Sequence, residues 1–262
     1  MKLNLLKAIE PGGKADYGLD TPGVIRNLTL LGTAELGLAL VFPFKLKKFR
    51  KWLRAGLFLA GISTLYTPFG MYYYSKQQKF KHRNRLLDLA EPQPDARVLD
   101  LGSGRGLLAI GAAKRSPAMK VTAVDTWQPK YLTGNSEEAL RSNIDLEEVG
   151  GRVHVFEADA RKLPFEPAAF DVVLSNLFLN TIGEDMPVKG AVGQSYRQQE
   201  RAKALAEIVR VLAPGGRAVI SDARFIDEAA AELTRQGLTV TTHGPFRDTV
   251  PAQKILIGVK SK

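Results

Sequence analysis

The sequence contains no cysteine and only three histidines. The absence of cysteine excludes disulfide bonds, cysteine-ligated zinc, iron–sulfur clusters and cysteine nucleophiles, including those that methylate cytosine at C5. His82, His154 and His243 lie far apart in the sequence, so we expect no histidine-rich metal site and assign no metal. A chain of 262 residues with 45% hydrophobic residues is nevertheless large and apolar enough to fold around a core.

Acidic residues are scarce in the first third of the chain. Residues 1–85 hold 15 Lys and Arg against 4 Asp and Glu, a net charge of +11. The remaining residues hold 22 against 23, a net charge of −1, so the pI of 9.7 comes from the N-terminal third. A basic segment attached to a nearly neutral domain indicates an anionic partner, either membrane lipid or nucleic acid.

Two long apolar stretches dominate the same third. Val24–Phe44 is interrupted by Arg26 and Glu35, whereas Ala55–Ser75 has no charged residue and is long enough to cross a hydrocarbon core of about 30 Å. The tyrosines at the end of the second stretch are typical of an interfacial aromatic belt. The pattern predicts membrane association. A soluble helical cap on the following domain is the alternative, because Glu35 at a bilayer centre would cost about 2.5–3.5 kcal/mol.

Basic clusters flank these stretches. Lys45–Arg54 and Lys76–Arg85 resemble anchors for anionic headgroups, each residue contributing about 1 kcal/mol near the surface. Because both ends of the second stretch are basic, spanning helices and helices lying in the interface both remain open. We expect a membrane-associated protein whose second domain is cytoplasmic.

From Arg97 onward, short β-rich runs alternate with helical patterns, which is typical of a parallel α/β sheet. The last two strands are close in sequence, so we expect a doubly wound, seven-stranded sheet ending in a hairpin. The predicted domains are residues 1–78, helical and membrane-associated, and residues 79–262, α/β. The predicted strands are Arg97–Leu101, Lys120–Asp125, Arg152–Glu157, Phe170–Asn176, Arg217–Asp222, Leu238–Thr242 and Lys254–Val259. The predicted helices between them are Gly106–Arg115, Asn135–Val149, Gln198–Leu212 and Asp227–Gln236.

A glycine-rich turn follows the first predicted strand. VLDLGSGRG places Gly102, Gly104 and Gly106 before a helix, where the backbone can approach a ligand and the helix N-terminus offers free N–H groups. Position 107 is leucine, so the dinucleotide spacing G-x-G-x-x-G is not met. The second strand ends at Asp125, where a carboxylate can accept both hydroxyls of a ribose.

Five tracts occur in a characteristic order: VLDLGSGRG, VTAVD, EADARKLPF, FDVVLSN and EIVRVLAPGGRAVISDA. This combination resembles the class I S-adenosylmethionine-dependent methyltransferases over about residues 79–262. The resemblance implies a seven-stranded, Rossmann-like sheet whose last strand is antiparallel. It also implies that the methyl donor, S-adenosyl-L-methionine, lies across the strand ends.

The resemblance implies a set of donor-binding residues. Asp100 and the glycine turn would hold the methionine part, and Asp125 the ribose. Asp159 and the Ala160 backbone would meet the adenine edge. From the residues alone, Asp100 could instead brace the glycine turn and Asp159 could cap the following loop. The full set is Asp100, Gly102, Ser103, Gly104, Gly106, Asp125, Thr126, Trp127, Asn135, Asp159, Ala160 and Asn176.

A closer likeness is to a bacterial, membrane-linked subgroup with an N-terminal hydrophobic hairpin. It rests on YSKQQKFKHRNRLLDLA, WQPKYLTGNSEEAL and the opening DYGLDTPGVIR. On that likeness Trp127 and Asn135 would line the ribose and adenine side. The broader class I resemblance implies that Asn176 faces the methionine end and the substrate cleft. Asn180 stands where many relatives have a histidine, so a base used there is missing here. Asn180 and His243 are the remaining catalytic candidates.

The acceptor is constrained by two further features. Leu177 and Phe178 follow Asn176, so the D/N-P-P-Y/F motif of base N-methylation is absent. Methyl transfer is an in-line displacement that needs a general base only for acceptors of high pKa. The segment Thr181–Gln194, rich in glycine, is predicted to be either a mobile lid or a solvated connector.

These observations predict methyl transfer from S-adenosylmethionine to a small, hydrophobic or lipid-like acceptor at a membrane. Two alternatives remain. A nucleic-acid methyltransferase could use the basic N-terminus for phosphate contacts, although the apolar stretches make nucleic acid the weaker partner. A non-enzymatic scaffold could bind S-adenosylmethionine without turnover.

Overall fold

The structure is a computed structural model that describes residues 15–41, 49–184 and 190–262. Helices α1 (Pro22–Val41) and α2 (Phe49–Tyr73) pack together as an antiparallel pair, the N-terminal hairpin. They cross where two glycines face each other. A Cβ atom on Gly61 would lie 3.0 Å from the carbonyl oxygen of Gly32, and one on Gly32 would lie 3.1 Å from that of Gly61. The two backbones are therefore in contact, the geometry that small residues allow between membrane helices.

The helical path continues beyond the hairpin. A π-helical turn, Tyr74–Gln78, joins α2 directly to α3 (Lys79–Ala90), which ends at Glu91 in a left-handed conformation. α3 buries Phe80, Leu86 and Leu87 against the rest of the chain. One helical segment thus runs from the hairpin into the core of the second domain.

The second domain contains one seven-stranded sheet. Its order is β3-β2-β1-β4-β5-β7-β6, in which β7 is antiparallel to both neighbours and the remaining pairs are parallel. The predicted fold class and the antiparallel last strand are confirmed. The strands are β1 (Arg97–Leu101), β2 (Lys120–Asp125), β3 (Val153–Glu157), β4 (Phe170–Asn176), β5 (Leu212–Asp222), β6 (Leu238–Phe246) and β7 (Gln253–Lys260).

Helices cover both faces of the sheet. Side chains that alternate along β1 enter different cores: Val98 packs with α3, α4 and α5, whereas Leu99 packs with α6 and α7. The sheet is therefore doubly wound, as predicted. The remaining helices are α4 (Leu107–Ala113), α5 (Glu137–Leu146), α6 (Gly190–Val211) and α7 (Ile226–Arg235).

Two element boundaries differ from the sequence-based prediction by five residues or more, and both lie at or near glycines. β5 starts at Leu212 rather than Arg217, since the Pro-Gly-Gly tract forms an irregular part of the strand where its register with β4 shifts. α6 starts at Gly190 rather than Gln198. The predicted lid is thus shorter, and the part that includes Asp185 lies in residues 185–189, outside the described residues.

The basic tract Lys76–Arg85 is not a uniform headgroup anchor. Lys79, His82 and Arg83 are buried, and only part of the tract reaches the surface. The cluster Lys45–Arg54 lies partly in residues 42–48, outside the described residues.

The N-terminal hairpin is the most apolar surface that the structure describes. It holds 14 of the 17 large hydrophobic side chains that are exposed in the described residues. Within the same residues, α1 is the one helix that is both long and apolar enough to cross a bilayer. Length and composition alone give weak support, so membrane association and the boundary at residue 78 stay predictions.

Candidate cofactor and acceptor site

A cavity of about 330 Å³ lies at the carboxyl ends of the central strands. Leu101 ends β1, Asp125 ends β2 and Asn176 ends β4, and all three line it. β1 and β4 are neighbours from which the chain winds in opposite directions, so the cavity occupies the topological switch point of the sheet. Its volume suits a small organic ligand.

The glycine turn after β1 forms one wall. Gly102 and Gly104 line the cavity, and both adopt left-handed conformations with φ of +75° and +52°. A Cβ atom on Gly102 would lie 2.6 Å from the ring of Phe178, which also lines the cavity. Glycine is therefore required here both by the backbone conformation and by the close approach of an aromatic ring.

Asp125 is held against this turn by backbone donors. Its Oδ2 accepts a hydrogen bond of 2.6 Å from Gly104 N, and its Oδ1 accepts bonds of 2.7 Å from Thr126 N and Trp127 N. Burial raises the pKa of the Asp125 carboxyl, and these three hydrogen bonds oppose that effect. The carboxylate and Thr126 line the cavity together.

Four predicted residues support the cavity from behind. Asp100 is fully buried, accepts a hydrogen bond of 2.8 Å from Ala109 N and has its pKa raised by burial to about 7. Trp127 donates from Nε1 to the carbonyl oxygen of Gly104 at 3.1 Å. The contact of Asp100 is therefore with the first turn of α4 rather than with the glycine turn, whereas Trp127 contacts the turn itself through Gly104. Ser103 and Gly106 also lie outside the lining.

Two amides in the lining have oxygens without partners. The Oδ1 atoms of Asn135 and Asn176 are buried, and no hydrogen-bond donor among the described residues reaches them. Asn135 is itself oriented, because its Nδ2 donates to the carbonyl oxygen of Gln128 at 3.2 Å. A buried acceptor without a partner is costly, so a ligand that carries donors fits this cavity. S-adenosylmethionine carries such donors on its adenine, ribose and methionine parts.

Asp159 lines the cavity and also caps a turn. Its Oδ1 accepts from Arg161 N at 2.8 Å, and its carboxylate pairs with the Arg161 guanidinium at 2.6 Å. Burial works to raise the pKa of Asp159, but the hydrogen bonds from Arg161 outweigh it and lower the pKa. Ala160 lines the cavity beside it. Both roles considered for Asp159 are therefore compatible with its position.

The two catalytic candidates, Asn180 and His243, differ in their position relative to the cavity. Asn180 lines the cavity, and its backbone N and Nδ2 donate to the carboxylate of Asp222 at 3.4 and 3.3 Å. Asp222 is completely buried, and burial raises its pKa. His243 is exposed on the edge strand β6 and does not line the cavity.

The structure adds a wall that the sequence analysis did not assign. Residues 16–21, here called the strap, cross the domain before α1, and Asp20 and Thr21 line the cavity. Thr21 N donates to Tyr131 O at 2.9 Å. The buried Lys79 holds the strap by donating to the carbonyl oxygens of Tyr17 and Gly18 at 2.8 and 2.7 Å. The tract DYGLDTPGVIR was the available signal, but it resembled only the start of a subgroup.

The described part of the predicted lid is tied down. Thr181 and Ile182 line the cavity, and Glu184 accepts hydrogen bonds from Tyr131 Oη at 2.6 Å and Lys130 Nζ at 3.2 Å. This rim is therefore charged and polar.

Part of the chain is similar in sequence to known methyltransferases. Residues 99–220 match the family described as a methyltransferase domain. A demethylmenaquinone methyltransferase from Thermus thermophilus is 33% identical over 139 residues, which are 53% of this chain and 52% of that protein. The chain spans about half the length of the curated relatives it matches.

Solved structures share the fold. An O-methyltransferase family protein from Burkholderia thailandensis aligns with a TM-score of 0.51 at 17% identity, covering 92% of this chain and 72% of that one. An S-adenosylmethionine-dependent methyltransferase from Aquifex aeolicus aligns with a TM-score of 0.50 at 15% identity, covering 68% and 88%. These structures show the fold, and the match of residues 99–220 supports a methyltransferase domain in that part of the chain.

Proposed function

We propose that this protein transfers a methyl group from S-adenosylmethionine to a small, apolar acceptor at a membrane surface. The observation that carries the proposal is the cavity at the switch point of the sheet, which combines the glycine turn, Asp125 and two amide oxygens without partners. The match of residues 99–220 to a methyltransferase domain supports it.

Seven lining residues have assigned roles in this proposal. Asp125 accepts the ribose hydroxyls, and Asn135 and Asn176 accept from donors on the nucleoside and methionine parts. Gly102 and Gly104 allow the backbone to approach the methionine part. Asp159, beside Ala160, meets the adenine edge.

When bound, S-adenosylmethionine supplies a methyl group on a positively charged sulfur, which makes that carbon electrophilic. The chain then has to align the acceptor with the methyl carbon and exclude water. The acceptor gains the methyl group, S-adenosylhomocysteine leaves, and an acceptor that carried a proton on the reacting atom releases it. Asn180, fixed by Asp222, is placed to orient the acceptor through its carboxamide oxygen.

An apolar acceptor suits the remaining lining. Leu132, Phe178, Ile182 and Val250 contribute hydrocarbon surface to the cavity. Curated relatives are named as demethylmenaquinone and ubiquinone/menaquinone methyltransferases, so a quinone-like ring is a reasonable class of acceptor to test first.

The membrane assignment rests on the N-terminal hairpin. Its exposed apolar side chains form a surface that water solvates poorly, and α1 is long enough to cross a bilayer. In this proposal residues 1–78 hold the protein at the membrane, and residues 79–262 form the methyltransferase domain on the cytoplasmic side.

Calorimetry tests donor binding directly. The full chain in detergent should bind S-adenosylmethionine and S-adenosylhomocysteine, and Asp125→Ala should abolish that binding. Asp145→Ala, on the exposed face of α5, is the matched control and should bind normally. Absence of binding to the unaltered chain would overturn the proposal.

Transfer of labelled methyl groups tests the acceptor. We expect incorporation into demethylmenaquinone or a chloroform extract of bacterial membranes, and none into total RNA. Incorporation into RNA alone would favour the nucleic-acid alternative. Donor binding without transfer to either pool would favour a scaffold.

A further inference from the structure

We infer that the acceptor reaches the cavity sideways from the bilayer, through a mouth formed by Thr21, Gly70, Val250 and Pro251. This inference rests on the proposed function and adds to it the path by which the acceptor enters. Thr21, Val250 and Pro251 line the cavity, and Gly70 lies on the hairpin helix α2. We call these four residues the mouth.

The first helix of the hairpin leaves directly from the cavity. Thr21 lines the cavity, and α1 begins at the next residue, Pro22. Thr21 is held in place by its N–H bond to Tyr131 O, and its O accepts from Val24 N at 3.0 Å. The base of α1 is therefore fixed at the cavity rim.

The second helix returns to the same place. A Cβ atom added at Gly70 would lie 3.9 Å from Cγ2 of Val250, so the space between α2 and this part of the cavity lining is about one methyl group wide. One turn later Tyr74 Oη accepts from Gln253 Nε2 at 3.0 Å, and Ser75 Oγ donates to Asp20 at 2.9 Å. These contacts hold the π-helical turn that continues α2 along the same rim.

The surface beside the mouth matches a membrane interface. Tyr66, Phe69, Tyr72 and Tyr73 lie on the last turns of α2 and are 77%, 69%, 50% and 49% exposed. Aromatic side chains of this kind concentrate where hydrocarbon meets headgroups. The mouth therefore lies at the depth where an apolar acceptor with a reactive polar ring would be found.

The rim formed by the described part of the predicted lid is charged, whereas the mouth is apolar. At that rim Glu184 pairs with Lys130 and Tyr131, so an apolar molecule entering would have to pass charged groups. The mouth instead offers the methyl groups of Val250 and Thr21 and the ring of Pro251. The difference in polarity favours the bilayer side as the path for the acceptor.

The absence of cysteine makes a clean test possible, because one introduced cysteine is the sole thiol of the chain. Val250→Cys and Thr21→Cys report on the mouth. Thr234→Cys, exposed on α7, is the control. Each full-length variant is reconstituted into phosphatidylcholine–phosphatidylglycerol vesicles and labelled with N-hexadecylmaleimide, which partitions into the bilayer, or with a sulfonated, membrane-impermeant maleimide.

We expect the ratio of lipid-phase to water-phase labelling rates to be at least about tenfold higher at both mouth positions than at Thr234→Cys, because the apolar reagent is concentrated in the bilayer. Equal ratios at the three positions would overturn the inference. Calorimetric binding of S-adenosylhomocysteine to the unaltered protein tests the proposed function separately. Normal binding with equal labelling ratios would reject the route alone, whereas absent binding would reject the proposed function.

Discussion

Ser75 donates a hydrogen bond of 2.9 Å to the carboxylate of Asp20. Ser75 lies in the π-helical turn that follows the hairpin helix α2, and Asp20 lines the cavity. π-helical turns often occur at functional sites, since they change the face that the following residues present. The turn that continues the hairpin is therefore joined to the cavity by a direct polar contact, and a change in one is expected to affect the other.

Asp20→Asn should weaken binding of S-adenosylhomocysteine about tenfold, because a carboxylate in the lining offers a charge-assisted hydrogen bond to the ammonium of the donor's methionine part. Methylthioadenosine lacks that ammonium, so its affinity should not change. The control is Asp16→Asn, because Asp16 is an exposed residue of the strap that does not line the cavity. Calorimetry with both ligands is the measurement. An equal loss for both would assign Asp20 a purely structural role.

Gly102→Ala should abolish donor binding. The new Cβ would lie 2.6 Å from the Phe178 ring and displace it, in addition to the strain of a φ of +75°. Gly151→Ala is a close control, because its φ is +76° and, within the part of the chain that the structure describes, no atom lies within 4 Å of the new Cβ. Both variants should lose about 1 kcal/mol of stability from the left-handed backbone.

Binding titrations at equal folded fraction separate the two effects. Gly151→Ala should bind S-adenosylhomocysteine normally. If Gly102→Ala also binds normally, Phe178 does not form a rigid part of the wall.

The sequence was sufficient for the fold where its patterns are local. β1, β2 and β4 follow from short apolar runs, and their parallel order follows from the alternation with helices. α6 and β5 were placed less accurately, because Gly190 lies at the start of a helix and Gly216 lies inside an irregular strand. Propensity alone cannot report the tertiary contacts that stabilise such exceptions.

The candidate site was predictable where a residue ends a strand, as for Asp125 and Asn176. The strap could not be predicted, because Asp20 reaches the cavity through contacts with residues distant in sequence, Ser75 and Leu132. Trp127 was predicted to line the ribose and adenine side, but its side chain donates to the carbonyl oxygen of Gly104 and lies outside the cavity lining.

His82 should make stability depend on pH. Its Nδ1 accepts from Arg85 at 3.1 Å, so the neutral ring carries its proton on Nε2 and donates to Ser221 Oγ at 2.8 Å. Burial, assisted by Arg85, lowers the pKa of His82 to about 4, while Asp248 and Gln253 oppose the shift. The unfolded chain, with an ordinary histidine pKa of about 6.5, therefore binds a proton that the folded chain does not.

This stabilising contribution is complete above about pH 6.5 and is lost as the pH falls toward about 4. Between pH 7 and pH 5 the free energy of unfolding should fall by about 2 kcal/mol. Denaturant titrations at the two pH values measure it, with His82→Gln as the comparison because glutamine can keep both hydrogen bonds without titrating. An equal pH dependence in the variant would assign the effect to the carboxylates.

Gly61→Ala should destabilise the N-terminal hairpin. A Cβ atom there would lie 2.7 Å from Leu36 and 3.0 Å from the Gly32 carbonyl oxygen, so α1 and α2 would have to separate. Gly56→Ala is the control on the same helix, where no atom of the described residues lies within 4 Å of the new Cβ and alanine favours the helix by about 1 kcal/mol. Thermal unfolding of both variants in detergent should therefore shift in opposite directions.

Because α2 continues through Ser75 to Asp20, Gly61→Ala should also weaken S-adenosylhomocysteine binding, whereas Gly56→Ala should not. If Gly61→Ala lowers the unfolding temperature but leaves the affinity for S-adenosylhomocysteine unchanged, the strap, held by Lys79, keeps its wall of the cavity in place without the hairpin.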